Sequence, residues 1–435
     1  MTAPPQYAGR IRIQLSRFVG LLRGAGPEYP IALSIIALSI AAPILIRLSA
    51  AGSQSDIPAH AALAAERVRD GGWISYTLWF PLIYFTSSGS SDPTILRELS
   101  VFFLLIAVVA KTLLAYYFSW VATRHRAASA IIAVLMLVAM PLMNPWNPQD
   151  IYLGQISPNV WHNSTQIFAL PFSLAAFIAA LALLRIQTMP RAFAFGIMVL
   201  ASTLAKPNYT LTLLPVLGLM LLWEMFRAKI RPARQVALVC VAFLPVVLLL
   251  ATQYLLVFGK GSVSGTVLTF APLAVWRSYS TNIPVSIGLS IAGPFFVLLA
   301  LPDKRRSDPA LVLSWLVLAV SILQLALLAQ RLPGGAIALD GNLFWGSYSA
   351  IFMVFIASAI SLAKTYLSSQ DAQRPRIALF ASVVILTLHA GTGIYYVGRA
   401  GVQDFPVSRP LNSGSAVPGS LGDYLATCRP RPNAT

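Results

Sequence analysis

Asp56 and His60 are the residues of this chain whose types and spacing are best suited to chemistry. They lie four positions apart, directly after the first long apolar run. At helical spacing, positions i and i+4 face the same side, so the two side chains can converge on one ligand. A carboxylate there is suited to general-base work, taking the proton of an acceptor hydroxyl as that oxygen attacks an anomeric carbon and a phosphate departs. Equally open from these residues alone is a structural role, with Asp56 capping a helix and His60 lying at the membrane interface.

A second group of polar and aromatic side chains precedes a later apolar run. Its candidate binding residues are Asp150, Gln155, Asn159, Trp161, His162 and Asn163. Amides and carboxylates pair with hydroxyl groups, and an indole can stack on the C–H face of a sugar ring. The alternative is an internally hydrogen-bonded loop with an interfacial tryptophan. We expect this segment to line a sugar-binding site.

Basic side chains near the ends of later apolar runs form the third candidate group. A lipid phosphate is negatively charged at the membrane surface, where Arg or Lys can bind it and stabilise it as a leaving group. The better candidates are Lys206 and Arg277, followed by Lys260 and Arg331. Each can instead be an interfacial residue whose charge reaches towards water. Lys111 falls inside an apolar run, where a cation is costly and needs a partner.

The elements that must position these residues are membrane helices. The chain has 435 residues, of which 57% are hydrophobic and only 10% are charged. A soluble domain of this length needs far more surface charge. We therefore predict an all-α polytopic membrane protein with about eleven transmembrane helices. The predicted spans are 30–49, 101–120, 127–143, 166–184, 192–205, 209–226, 235–257, 285–301, 309–329, 349–366 and 377–397. The first is long enough to remain as a span and is not read as a cleaved signal peptide.

Charge distribution predicts the orientation of these spans. Every second connection is short and basic, which places the N-terminus in the cytoplasm and, with eleven spans, the C-terminus outside. The net charge of +17 is thereby explained by topology, and nucleic-acid binding is not expected. Nine of the fourteen acidic residues fall on the outer side: Asp56, Glu66, Asp70, Asp92, Glu98, Asp150, Asp340, Asp404 and Asp423.

The predicted organisation is a cytoplasmic segment 1–29, a membrane domain 30–397 and an extracytoplasmic tail 398–435. The first outer loop, 50–100, is the longest between two spans. It contains a predicted helix at 57–69, capped by Asp56, with Pro58 in its first turn. The aromatic stretch 73–85 that follows is typical of a helix lying at the membrane interface.

Several motifs are absent from the sequence. It contains no P-loop, no dinucleotide-binding glycine pattern and no HExxH motif, which excludes a pump with its own ATPase in this chain. The two cysteines, Cys240 and Cys428, predict neither a disulfide framework nor a zinc site. No metal or other cofactor is firmly implied.

The arrangement resembles the GT-C superfamily of membrane glycosyltransferases over roughly the first 285 residues. Members carry an acidic residue just after the first span, in a long outer loop that folds into interfacial helices. Asp56 stands at the matching position, 57–69 and 73–85 look like the interfacial helices, and 258–284 looks like the later outer loop that helps to bind the lipid-linked donor. In two respects the chain departs from the family: Asp56 is accompanied by His60 where an acidic pair is usual, and only a short tail follows the last span.

The resemblance implies an inverting glycosyltransferase of the bacterial inner membrane. Its donor would be a polyprenyl-phosphate sugar and its acceptor a cell-envelope glycan or glycolipid on the periplasmic face. Asp56 would be the base, His60 and His162 would orient substrate groups, and Lys206 and Arg277 would hold the phosphate. Two other functions stay open: an O-antigen or exopolysaccharide polymerase, which usually relies on arginines in a large late outer loop, and a flippase or transporter of lipid-linked saccharides, which needs polar residues along a path through the spans.

Overall fold

The computed structural model describes residues 24, 26–50, 55–69, 77–146, 154–228, 232–258, 266–339, 341–368 and 376–402. The described chain is mostly helical. Its helices are α1 Glu28–Ala50, α2 Asp56–Arg69, α3 Trp79–Thr86, α4 Pro93–Thr123, α5 Arg126–Val138, α6 Ser164–Arg185, α7 Met189–Ala205, α8 Asn208–Ala228, α9 Pro232–Phe258, α10 Ala274–Arg277, α11 Ile283–Ala300, α12 Asp303–Arg306, α13 Pro309–Leu327, α14 Phe344–Leu367 and α15 Arg376–Val402. Two short strands, β1 Val267–Phe270 and β2 Leu328–Arg331, complete it.

Nine helices in the described ranges are long and apolar enough to cross a membrane: α1, α4, α6, α8, α9, α11, α13, α14 and α15. Their composition confirms the prediction of a helical multi-pass membrane protein. Each of the eleven predicted spans overlaps a helix, but α5 and α7 are shorter apolar helices of 13 and 17 residues. Eleven as the number of spans, and the orientation of the termini, stay predictions.

Helix α14 forms the centre of the bundle. Nearly every side chain from Phe344 to Leu362 is buried, and the helix packs against α4, α5, α6, α8, α11 and α13. Gly346 permits a close approach to α8, because a Cβ atom there would lie 3.0 Å from the carbonyl oxygen of Asn208. In contrast, α9 and α15 expose most of their apolar side chains, as expected of helices that face lipid.

The predicted span 127–143 is wrong at its C-terminal end. Helix α5 stops at Val138, and the chain continues without helical structure through the buried residues Ala139 and Met140. Non-helical backbone is tolerated at membrane depth only where other protein groups satisfy its hydrogen bonds. Here the N–H of Met140 donates to the carbonyl of His389 (3.1 Å) and the N–H of Leu142 to the carbonyl of Leu289 (3.1 Å). Apolar composition alone does not distinguish such a segment from a helix.

His389 fixes this segment against α11 and α15. Its Nδ1 lies 2.6 Å from the carbonyl oxygen of Met140, and its Nε2 accepts from the backbone N–H of Gly293 at 3.0 Å. Because a carbonyl oxygen can only accept, Nδ1 carries the proton. The imidazole is fully buried and has both nitrogens bonded, so it joins three parts of the bundle.

The two strands pair antiparallel, with Val267 opposite Arg331 and Phe270 opposite Leu328. They connect the predicted loops 258–284 and 330–348, for which no strand was expected. Leu328 follows the last residue of α13 directly, so the small sheet begins where that helix ends.

One end of the bundle collects the connections that carry the candidate residues; we call it the site end. There α1 ends, α6 begins and α7 ends. The helix predicted at 57–69 is confirmed as α2, and α3 occupies the aromatic stretch, of which 73–76 lie outside the described residues. Thr77 and Leu78 attach α3 to the end of α7, since the hydroxyl of Thr77 donates to the carbonyl of Ala205 (2.5 Å) and the N–H of Leu78 to that of Leu204 (2.6 Å).

Candidate functional site

The first turn of α2 is attached to the residue before α6. The backbone N–H of Asp56 donates to the carbonyl of His162 at 2.9 Å, and the hydroxyl of Ser55 donates to the same oxygen at 3.1 Å. Ser55 Oγ also accepts from the N–H of Ile57 at 3.2 Å. Ser55 is therefore the capping residue of α2, and the expectation that Asp56 caps this helix is wrong.

The carboxylate of Asp56 points away from its own helix and meets Asn163. Asn163 Nδ2 donates to Asp56 Oδ2 at 2.5 Å, across 107 positions of sequence. The side chain is partly exposed. Its other oxygen, Oδ1, accepts no hydrogen bond from the residues that the structure describes. One carboxylate oxygen is thus fixed and the other is available to a ligand.

Asn163 is itself held in one orientation. Its Oδ1 accepts from the N–H of Gln166 (2.9 Å), the hydroxyl of Thr165 (2.8 Å) and the ammonium of Lys206 (3.2 Å). The first of these bonds makes Asn163 the N-cap of α6. Since three donors converge on this atom, it must be the amide oxygen, and the NH₂ group necessarily faces Asp56.

Lys206, the residue after α7, is buried below this amide and is only 5% exposed. Its Nζ donates to Thr165 Oγ1 at 2.9 Å as well as to Asn163, and it lies 4.2 Å from the centre of the Trp345 ring. Burial lowers the pKa of Lys206 to about 7, while the nearby Asp56 carboxylate acts in the opposite direction. The ammonium faces into the protein. The structure therefore does not place Lys206 on a surface where it could bind a phosphate, as the sequence had predicted.

Both histidines of the predicted site lie beside the same cluster. His60 Nδ1 and the hydroxyl oxygen of Ser164 are 2.6 Å apart, and the His60 ring packs edge-on against Phe80. The His162 ring lies 6.1 Å from that of Trp345. Burial lowers the pKa of His162; the Asp56 carboxylate opposes this effect and the Lys206 ammonium adds to it.

The convergence of Asp56 and His60 on one ligand stays a prediction, but the structure brings both side chains to the same helix start. They contact the neighbouring residues Asn163 and Ser164 at the start of α6. The site is assembled from three parts of the chain, namely α2, the start of α6 and the end of α7, with Trp345 of α14 behind them.

Asn159, Trp161 and Gln155 belong to a different set of contacts. Asn159 Oδ1 accepts from Lys111 Nζ at 2.5 Å, and its Nδ2 donates to the carbonyls of Met136 (3.1 Å) and Ala139 (2.8 Å). Lys111 also lies 5.7 Å from the ring centre of Trp161. Asn159 and Trp161 are therefore the partners that a lysine inside an apolar run needs. The space beside them admits about one water molecule.

The amides expected to bind sugar at Asn159 and Gln155 instead support the backbone of the segment after α5. Asn159 bonds the last carbonyls of α5, and Gln155 Nε2 donates to the carbonyl of Leu142 at 2.8 Å. Both side chains are buried, at 2% and 0% exposure. Asp150, the remaining candidate of this group, lies outside the described residues, as does Lys260.

Arg277 and Arg331 are exposed on the connections that carry the two strands. The guanidinium of Arg331 donates to Thr269 Oγ1 across the small sheet at 3.0 Å. Arg277 ends α10, where the buried neighbour Trp276 donates from its indole to the carbonyl of Gly154 at 3.0 Å. No contact among the described residues brings either guanidinium to Asp56.

Three further residues contribute to the site and were not predicted from the sequence: Ser55, Thr165 and Trp345. The polar residues Asn163 to Thr165 before an apolar run are an N-cap signal, which indicates Asn163 as the start of a helix as well as a candidate for sugar binding. For Trp345 the sequence offers no signal, because its role depends on how α14 packs.

No three His, Cys, Asp or Glu side chains in the described ranges lie close enough to hold a metal ion. Comparison with protein-family models and with curated protein sequences finds no match to this chain.

Proposed function

We propose that this protein is an integral-membrane glycosyltransferase whose reactive centre lies at Asp56. In this proposal a sugar passes from a polyprenyl-phosphate carrier to a cell-envelope glycan or glycolipid at the periplasmic face of the inner membrane. The observation that carries the proposal is the state of Asp56. It is a partly exposed carboxylate with one oxygen held by Asn163, at the end of a bundle of membrane-length helices.

The chemistry proposed for Asp56 is that of a general base. Its Oδ1, to which none of the described residues donates a hydrogen bond, takes the proton of an acceptor hydroxyl while the acceptor oxygen forms a bond to the anomeric carbon of the donor sugar. The bond from that carbon to the phosphate oxygen breaks, and its electron pair leaves with the lipid phosphate. Attack opposite the leaving group inverts the anomeric centre.

The surrounding groups suit the two substrates. His60 and His162 lie beside Asp56 and supply imidazole nitrogens to orient sugar or acceptor hydroxyls. Arg277, exposed on a connection at the same end, is the cation that we assign to the lipid phosphate. Phe85 of α3, and Leu78 just before that helix, are exposed apolar side chains against which a polyprenyl chain can lie.

Substitution of Asp56 by Asn tests this proposal. Asparagine keeps the shape and can still accept from Asn163 Nδ2, so the fold is retained while the base is lost. We expect the rate of glycosidic-bond formation in lipid nanodiscs, with a panel of polyprenyl-phosphate sugars, to fall by about 10²- to 10⁴-fold. Asp92→Asn is the matched control. Asp92 is an acid that caps α4 through Thr94, and Asn caps equally well.

Other results would favour a different function. A transfer rate in Asp56→Asn close to that of the wild type would refute the assignment of the base. Movement of intact lipid-linked saccharide across the bilayer with no new glycosidic bond would show a flippase. Growth of a polymer from lipid-linked repeat units, sensitive to Arg331 and insensitive to Asp56, would show a polymerase.

A further inference from the structure

We propose that Lys206 is a positioning residue for Asp56 that acts through the side-chain amide of Asn163. This inference rests on the glycosyltransferase function proposed above. It assigns to Lys206 a task in the reaction that does not require contact with either substrate.

The connection is a continuous line of hydrogen bonds. Lys206 Nζ donates to Asn163 Oδ1 at 3.2 Å, and Asn163 Nδ2 donates to Asp56 Oδ2 at 2.5 Å. The ammonium is buried, so its interaction with the amide is poorly screened by water and polarises the bond to Asp56. The amide carries the effect of the charge to Asp56 because its oxygen faces Lys206 and its NH₂ group faces Asp56.

The other contacts of Lys206 also hold its ammonium inside the protein. A second N–H is used by Thr165 Oγ1 at 2.9 Å, and the Trp345 ring lies over the ammonium. Thr165 in turn donates to the same Asn163 oxygen. Lys206 and Thr165 therefore hold the amide with its NH₂ group on Asp56 Oδ2, and this leaves Asp56 Oδ1 as the proton acceptor.

The task requires the charged form of Lys206, which makes the reaction sensitive to pH. The titratable groups that act on Lys206, or on which it acts, are Asp56 from α2 and His162 before α6. Its other contacts, the Thr165 hydroxyl and the Trp345 ring, do not titrate near neutral pH. Burial lowers the pKa of Lys206 to about 7, so the ammonium is present below this pH and is lost as the pH rises through it.

The kinetic test is the pH profile of kcat and KM in nanodiscs. We expect wild-type kcat to fall above about pH 7. Lys206→Met should lower kcat by about 30-fold below pH 7, leave KM within about threefold and abolish this alkaline limb, because Lys206 contacts neither substrate and acts on the base that is used in the chemical step. Lys206→Arg, which stays charged, should keep kcat nearer to the wild type and remove the limb. The control is Lys111→Met, which removes an equally buried lysine bonded to Asn159 and should keep the limb.

A gentler variant keeps the test decisive if Lys206→Met does not fold. Thr165→Val removes one acceptor of the ammonium, so the alkaline limb should move to lower pH by up to about one unit. Either an unchanged limb in Thr165→Val or a limb that persists in folded Lys206→Met overturns the proposal.

A second measurement needs no activity and therefore separates this inference from the proposed function. The chain has six lysines, so the side-chain resonance of Lys206 can be assigned by its loss in Lys206→Met. Since Asp56 raises the pKa of Lys206, Asp56→Asn should lower the pKa read from that resonance. An unchanged value refutes the coupling between the two residues. A wild-type protein that transfers no sugar, yet shows this shift, refutes the glycosyltransferase proposal alone.

Discussion

Asp56 and Asn163 are joined by a 2.5 Å hydrogen bond between side chains 107 positions apart. The bond connects the helix that follows the first span with the N-cap of α6. It is supported by the hydrogen bonds that the Ser55 hydroxyl and the Asp56 backbone N–H donate to the carbonyl of His162, which hold the start of α2 against the start of α6. The position of the candidate base is therefore a property of this contact between two helix starts.

Asn163→Ser separates the two roles of Asn163. Serine is as good an N-cap as asparagine, so the helix start should be retained, whereas the NH₂ donor to Asp56 is lost. We expect the melting temperature in detergent to change little and sugar transfer to fall by about tenfold or more, equivalent to about 1.4 kcal/mol. Full activity in a folded Asn163→Ser protein would show that the bond to Asp56 is dispensable.

The stability of the folded protein should rise with pH above neutrality because of Lys206. Its pKa is about 7 when folded, whereas an unfolded lysine has a pKa of about 10.4, so the unfolded state binds more protons between these values. Stability therefore increases as the pH rises from about 7 towards 10, because the proton that Lys206 must lose on folding becomes easier to remove. Melting temperatures measured across this range should rise more steeply for the wild type than for Lys206→Met. Equal slopes would contradict the low pKa.

Gly393→Ala should destabilise the contact of α15 with the end of α5. A Cβ atom at this position would overlap the carbonyl oxygen of Val138, so the helices must separate. Overpacking of this kind costs about 1–3 kcal/mol, and more where backbone is involved. Gly391→Ala, on the same helix, has nothing within 4 Å of the new methyl group and is the matched control. A thermal or denaturant assay in detergent should find Gly393→Ala clearly less stable than Gly391→Ala.

His389→Leu should destabilise the non-helical segment after α5. The substitution leaves the carbonyl of Met140 and the N–H of Gly293 without their imidazole partner, at a cost of about 1–3 kcal/mol for each unsatisfied group. Thr387→Val, an exposed position two residues earlier whose hydroxyl bonds its own helix, is the control and should be close to neutral. Protection of the amides near Met140 from hydrogen exchange should fall in His389→Leu alone.

The relative loss of stability on substituting Asn159 and Lys111 provides a further check on the fold. Asn159→Leu removes the amide partner of a buried cation and leaves the carbonyls of Met136 and Ala139 without their donor, so it should cost about 3–5 kcal/mol. Lys111→Met removes the buried charge itself and should cost less. Unfolding measurements that find the reverse order would show that the cation, and not the amide, organises this segment.

The amino-acid sequence by itself determined the membrane class, the approximate place of each long helix and the helix at 57–69. These features are local: mean hydropathy over about twenty residues and the 3.6-residue period do not depend on what lies elsewhere in the chain. For the same reason it identified Asp56 as an acid at the exit of the first span.

Tertiary structure decided what the candidate residues touch. Whether Ser55 or Asp56 caps α2, whether Lys206 faces a surface or the Asn163 amide, and whether Asn159 binds a ligand or the end of α5 all depend on contacts between segments distant in sequence. The premature end of α5 has the same origin. An apolar run stays helical in lipid unless other parts of the protein satisfy its backbone, and here His389 and Leu289 supply those partners from 147 or more positions away.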